Sequence, residues 1–218
     1  MEEGISILIA AYNADKYIKE CINSIITTTP HEILVGVDGC KKTLNVVNKL
    51  KNENLKVFNK EKNTGAYDTW NMLIQKASFN HILIFAADDI MIEGYLDSVI
   101  DELGCFDFMQ LRCETFHEDA NKETHEWVAD GVIIIRTDVM IDVNGYQKWR
   151  CSADTELKFR LKHFGYFGKA SKRIGFRYRR HGDSLTMSES TDINSSFRLN
   201  YISQIQKMID DKLFNNPI

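Results

Sequence analysis

The chain has 218 residues, 44% of them hydrophobic, a formal net charge of −4 and a pI of about 5.9, which suits one globular domain with a sizeable core and makes nucleic acid an unexpected partner. Five scattered cysteines with no C-x-x-C spacing argue for reduced thiols rather than a disulfide framework. The Met1-Glu2-Glu3 start lacks the basic and apolar stretches of a signal peptide, and no apolar run approaches the ~20 residues of a membrane span, so a soluble cytoplasmic protein is expected.

Gly4 to Ala11 is an apolar run with the look of a buried strand, broken by Tyr12-Asn13-Ala14-Asp15. Asp15 is a candidate cap for the helix that follows, in which Tyr17, Ile18, Cys21, Ile22, Ile25 and Ile26 keep helical spacing. Ile33 to Val37 reads as a second strand and ends on Asp38-Gly39; Thr43 to Lys51 reads as a helix, and Leu55 to Phe58 as a third strand. Asn63-Thr64-Gly65 is a loop, and Tyr67 to Ala77 a helix. Ile82 to Phe85 is then a fourth strand whose apolar run stops on Asp88-Asp89. Unpaired carboxylates are costly to bury, so these two belong at the strand's end. Adjacent carboxylates suit a hard divalent cation that also takes phosphate oxygens, although an acidic turn or a helix cap reads equally well from this fragment alone.

The alternation of strand and helix predicts an α/β fold: a Rossmann-like, mostly parallel central sheet with helices on both faces, in a single domain. Such sheets bind ligands outside the strand C-termini, where Tyr12, Asp38 and Asp88-Asp89 all fall. The second half is less regular. Phe106 to Arg112 and Gly131 to Ile135 read as strands, Thr137 to Val143 as a short helix, and Asp154 to Phe164 as a helix with Leu157, Phe159, Leu161 and Phe164 supplying apolar surface. Ile174 to Arg179 is a basic strand within a run that includes Lys169, Lys172, Arg173 and Arg180, and such runs are usually solvated faces. Phe197 to Phe214 is an amphipathic helix with Leu199, Ile202, Ile205, Ile209 and Leu213 on one face.

Taken in order, the motifs resemble family 2 glycosyltransferases of the GT-A fold. The resemblance rests on Ile7-Leu8-Ile9-Ala10-Ala11-Tyr12-Asn13, on Glu32 to Cys40 around Asp38-Gly39, and on Asn63-Thr64-Gly65 with Trp70-Asn71. It continues in Ala86-Ala87-Asp88-Asp89 as a DxD-type metal motif, in Ser152 to Leu157 as the late catalytic segment, and in Tyr178 to His181 with Ser184-Leu185-Thr186 as the closing motif. It covers nearly the whole chain.

The resemblance implies an inverting transfer of one sugar from a nucleotide-sugar donor, most commonly a UDP-sugar, to an acceptor hydroxyl on a glycan, a lipid-linked or another molecule. By the family's pattern, residues 1–105 would bind the donor and residues 106–218 the acceptor. Asp89 would hold Mn²⁺ or Mg²⁺, with His181 as a further contact, and Asp88 would reach the ribose or share the metal. Ala10, Tyr12, Asp38 and Asn63 would line the nucleotide, Asp38 accepting from the base and Tyr12 packing against it. Asp154 would be the general base that takes the acceptor's proton, with Glu156 next in line. Trp127, Trp149 and Tyr146 are candidate sugar platforms.

The chain departs from the pattern at Ala10, where a proline is common, at Val37, Ala86 and Ala153, where acids are usual, and at Trp70, where an arginine is common. Ala86, Ala153 and Trp70 motivate an alternative: a binding module for nucleotide-sugars or glycans that has lost catalysis. A nucleotidyltransferase would want a Gly-rich phosphate loop after the first strand, and a Rossmann dehydrogenase a G-x-G-x-x-G; neither is present.

Overall fold

The computed structural model describes residues 1–117, 124–182, 194–211 and 214. The first half alternates as its sequence indicates: β1 (Glu2–Ala11), α1 (Ile18–Ser24), β2 (His31–Asp38), α2 (Lys41–Val47), β3 (Leu55–Lys60), α3 (Ala66–Ile74) and β4 (Phe79–Ala86). There follow β5 (Ile90–Met91), a 3₁₀ turn (Leu96–Ser98), α4 (Val99–Leu103), β6 (Phe108–His117), β7 (Glu126–Arg136), α5 (Thr137–Asp142), α6 (Ala153–His163), β8 (Gly168–Arg180) and α7 (Ser196–Asp211).

The strands form one mixed sheet, in the order β3-β2-β1-β4-β7-β6-β8-β5. β3, β2, β1 and β4 run parallel; β7 pairs antiparallel with both β4 and β6, β8 runs parallel to β6, and β5 antiparallel to β8. Both faces are buried, so the central strands read as unbroken apolar runs rather than as alternating ones. Ile5, Ile7 and Ile9 of β1 point to one face with Ile33, Val35, Leu83 and Phe85, under Ile18 and Ile22 of α1 and Val99 of α4. Leu8, Leu34, Ile82 and Ile84 point to the other, under Leu73 of α3, Met140 of α5 and Leu157 of α6. This two-residue alternation between opposite cores is the strand period itself.

Local details differ from the sequence reading. α1 begins after Tyr17 with no side-chain cap, so Asp15 does not cap it, and its early end at Ser24 leaves Ile26 56% exposed. Phe159 and Phe164 lie outward because α6 spends its inner stripe on Ala153, Glu156, Leu157, Arg160 and Leu161. α7 packs through Ile205 and through Tyr201, which stacks on Trp149 at 4.6 Å, so Leu199 and Ile202 remain exposed. Tyr146 is buried and offers no face to a sugar, whereas Trp127 stays partly exposed beside Tyr178. The Ser184–Thr186 motif and Leu213 lie outside the described residues. Among the described residues, no helix is long and apolar enough to cross a membrane.

Candidate functional site

Strand register builds a rim. Ala10 of β1 is level with Gly36 of β2 and with Ala86 of β4. Tyr12 follows the end of β1, Asp38 ends β2 and Asp88 follows the end of β4, so all three belong to the C-terminal edge of three adjacent parallel strands. Neighbouring strands stand about 4.8 Å apart, so the ends of the three strands span about 10 Å. Ala10 is half-buried at the last turn of the pleat, and Tyr12 projects with 53% of its surface exposed.

Asp38 is buried and welds the next loop to the sheet. Its Oδ1 accepts the Thr64 N–H at 2.9 Å, its Oδ2 accepts the Gly65 N–H at 2.8 Å, and Lys60 Nζ stands 3.4 Å from Oδ1. Gly39 makes this approach possible: its φ is +71°, and a Cβ there would meet the Asn63 nitrogen at 2.6 Å. Asn63 is thereby presented, exposed, at the edge of the rim. The same two hydrogen bonds fix the start of α3.

Asp88 and Asp89 face different surroundings. The Asp88 side chain is 27% exposed, and its Oδ2 lies 2.9 Å from Nε2 of His181. Asp89 is 1% exposed; Oδ1 accepts the Arg179 N–H at 2.9 Å, and Oδ2 has no hydrogen-bond partner among the described residues. Burial, followed by the neighbouring Asp88 charge, holds the Asp89 carboxyl well above the usual carboxylate range. Burial and Asp89 together push the Cys113 thiol up to about 12 and raise that of Cys21.

Arg179 is the residue whose place the sequence did not disclose. Within a run of basic residues it reads as solvated, yet it is 8% exposed. Its Nε donates to the Asp88 carbonyl at 2.8 Å, its Nη2 pairs with Glu20, and its guanidinium lies 4.9 Å from the Tyr17 ring and 4.7 Å from Phe116. It ties β8, and with it His181, to the end of β4. His181 also packs on Tyr17, with ring centroids 4.5 Å apart.

Asp154 joins the rim through α3. It lies in the first turn of α6, after Ser152 in a left-handed conformation (φ +65°), and no side chain caps that helix, so Asp154 is not its cap. Its Oδ1 accepts the Tyr67 hydroxyl at 2.8 Å, while a Cβ on Gly131 would stand 3.3 Å from Oδ2. Glu156 is different: it is fully buried and pairs with Arg160 at 2.9 Å, and Arg160 in turn donates to the carbonyls of Val143 and Gly145. That locks the turn before α6 and leaves Glu156 no access to a substrate. Asp38, α3 and Asp154 thus form one hydrogen-bonded path.

The donor set fits a divalent cation shared with phosphate oxygens: an accessible carboxylate next to an imidazole. No group of three or more His, Cys, Asp or Glu side chains gathers as a ligand set among the described residues, so substrate oxygens would have to complete the shell.

Residues 6–110 match the model of the family described as Glycosyl transferase family 2. Over 108 residues, 47% of this chain, the sequence is 28% identical to the glycosyltransferase GlyG of Streptococcus pneumoniae, and spans 36% of that protein's length. The fold resembles that of S. aureus TarS 1-349 in complex with UDP-GlcNAc: TM-score 0.71, 19% identity, covering 84% of this chain and 60% of that one. It also resembles the mannosyltransferase PcManGT from Pyrobaculum calidifontis in complex with GDP-Man and Mn²⁺: TM-score 0.75, 11% identity, covering all of this chain and 66% of that one.

Proposed function

Because residues 6–110 belong to glycosyl transferase family 2 and the chain as a whole carries the GT-A fold, we propose that it transfers a sugar from a nucleotide-sugar donor to an acceptor hydroxyl with inversion at the anomeric carbon. The observation that supports this reading is the parallel register that brings the ends of β1, β2 and β4 to one edge of the sheet, where Tyr12, Asp38 and Asp88 fall, with α3 linking the Asp38 turn to Asp154.

In this reading residues 1–105 bind the donor and residues 106–218 the acceptor. Ala10, Tyr12 and Asn63 line the nucleotide, Tyr12 through its exposed ring. Asp38 holds the 63–65 loop and so shapes the nucleotide edge; Oδ1 is taken by Thr64 and Lys60, and Oδ2, which accepts the Gly65 N–H, is the oxygen offered to a base N–H. Asp88 and His181 would hold Mn²⁺ or Mg²⁺, and the exposure of the Asp88 side chain favours it over the enclosed Asp89 as the direct carboxylate ligand. When bound, such a cation supplies Lewis-acid stabilisation of the diphosphate leaving group. Asp89 keeps the strand end in place through the Arg179 N–H. Asp154, its Oδ1 fixed by Tyr67, uses Oδ2 as the base: the acceptor O–H gives its proton to Oδ2 as its oxygen bonds to the anomeric carbon. The old C–O bond breaks with its electron pair going to the diphosphate. UDP is the first donor nucleotide to test; the TarS complex contains UDP-GlcNAc and the PcManGT complex GDP-Man.

The second reading, a binding module without turnover, draws on Ala86 and on the short cation donor set. One assay separates the two. Protein, Mn²⁺ and either UDP-GlcNAc or GDP-mannose are incubated with a panel of sugar and lipid-linked hydroxyl acceptors, and free UDP or GDP is measured. Release above the protein-free control, lost in Asp154→Asn, supports transfer; tight donor binding with no release supports the binding module.

A further inference from the structure

Tyr67 is set into the structure more firmly than a helix-surface residue needs to be. It lies in the first turn of α3, immediately after the loop fixed by Asp38, and is 7% exposed. Its ring packs against Trp70, with centroids 5.7 Å apart and planes at 61°, and against Tyr146, at 5.2 Å and 43°. Each neighbour is itself tied to the frame. The Trp70 indole N–H donates to the Leu8 carbonyl of β1 at 3.2 Å. Tyr146 is gripped by Asn71 through two hydrogen bonds of 2.8 Å, its N–H donating to Oδ1 and its carbonyl accepting from Nδ2. The three aromatic rings thus bridge the donor half of the chain and the loop that leads into α6, and Tyr67 ends in a hydroxyl 2.8 Å from Asp154 Oδ1. Tyr146 brings a second phenol close enough to feel the Asp154 charge, but the recorded hydrogen bond to Asp154 comes from Tyr67. Burial and the adjacent carboxylate push the Tyr67 phenol up, so it stays protonated and acts as a donor.

We propose that Tyr67 is a positioning residue for the transfer reaction: by donating to Oδ1 it fixes the rotation of the Asp154 carboxylate and commits Oδ2, the oxygen beside Gly131, to the acceptor. The inference rests on the assignment of Asp154 as base. It makes α3 a relay, since the helix whose start is anchored by the Asp38 turn also aims the base. A carboxylate held by one donor in a packed aromatic wall loses little rotational freedom when the acceptor arrives, and orientation of this kind is a recognised share of catalytic power.

The test is kinetic and uses water as the acceptor, so no acceptor need be known. UDP or GDP release from UDP-GlcNAc or GDP-mannose with Mn²⁺ is followed for the wild type, Tyr67→Phe, Asp154→Asn and the double variant, with donor dissociation constants and melting temperatures for each. Tyr67→Phe removes one oxygen and keeps the ring packed. The expected result is a roughly ten- to hundredfold fall in kcat, in line with losing a hydrogen bond to a charged group, with donor affinity within twofold of wild type. In the Asp154→Asn background the same change should have no further effect, because Tyr67 acts through that carboxylate. A Tyr67→Phe enzyme with wild-type kcat overturns the inference while leaving the base assignment standing. A loss of donor affinity matching the loss of rate, or an equal loss in both backgrounds, shows a structural role only and also overturns it. Wild-type turnover by Asp154→Asn refutes the base assignment itself, and is read from a different variant.

Discussion

Glu156→Gln separates scaffold from catalyst in α6. Glu156 and Asp154 sit two residues apart in the same first turn, yet Glu156 is fully buried against Arg160 and Asp154 faces Tyr67 and Gly131. Glu156 takes two of the guanidinium's N–H groups, while the other two recorded bonds go to the Val143 and Gly145 carbonyls. The glutamine keeps the volume but leaves the Arg160 charge without a counter-charge inside the protein. Breaking one side of a buried pair costs about 3–5 kcal/mol, and the two carbonyls keep this case near the lower end, about 3 kcal/mol. For a domain of this length that corresponds to a fall in melting temperature of roughly 6–12 °C. Thermal and urea unfolding measure it, alongside nucleotide release per folded molecule at a temperature where both proteins are native. The expected pattern is a large loss of stability with turnover preserved within a few-fold, the reverse of Asp154→Asn. A melting temperature within 2 °C of wild type would show that the pair is not a structural lock, and turnover as low as in Asp154→Asn would show that Glu156 is not scaffold alone.

Three further outcomes are expected. Gly39→Ala forces a Cβ onto the Asn63 backbone at a φ of +71°, so it should displace the 63–65 loop and weaken nucleotide binding at least tenfold by calorimetry; unchanged affinity would detach that turn from the donor site. Asp88→Ala should remove the effect of Mn²⁺ on nucleotide affinity, and an undiminished effect would move the metal elsewhere. Glu32 is buried; burial works to raise its carboxyl, but donation from Lys56, Ser6 and the Ser78 N–H wins and holds it below its usual value of 4.5. Its stabilising contribution is therefore complete above about pH 4.5 and is lost as pH falls through the lowered folded-state value. Glu32→Gln should cost about 1–2 kcal/mol at pH 7 and flatten the acid side of the stability curve, which urea titration from pH 3 to 7 would read.

The parallel half of the sheet was legible because Ile5 to Ala11, Ile33 to Val37 and Ile82 to Phe85 are buried on both faces and so leave unbroken apolar runs. The position of Asp38 and Asp88 at one edge follows from the same strands, since parallel strands put their C-terminal ends on the same side of the sheet. Ile90–Met91 and Val99–Leu103 went unread because two- and five-residue elements carry too few periods for a pattern to emerge. Arg179 was hidden by its basic neighbours, and its burial depends on Glu20, Tyr17 and the end of β4, all far away in sequence. The same holds for the Tyr67–Asp154 contact, made across 87 residues, for which a tyrosine at a helix start gives no signal. The inner stripe of α6 misled for a chemical reason: its buried positions include a charged pair, so the exposed Phe159 and Phe164 looked like the core.

In the proposed reaction the rim formed by Tyr12, Asp38 and Asp88 receives a nucleoside diphosphate together with a divalent cation. The direct measurement is the melting temperature of the protein with UDP, GDP, UDP-GlcNAc and GDP-mannose, each with and without Mn²⁺, because a ligand that binds only the native state raises it. At least one nucleotide should raise it by several degrees in the presence of Mn²⁺, and that rise should vanish in Asp88→Ala. No shift with any of the four, or an equal shift in Asp88→Ala, would show that this rim is not the donor site.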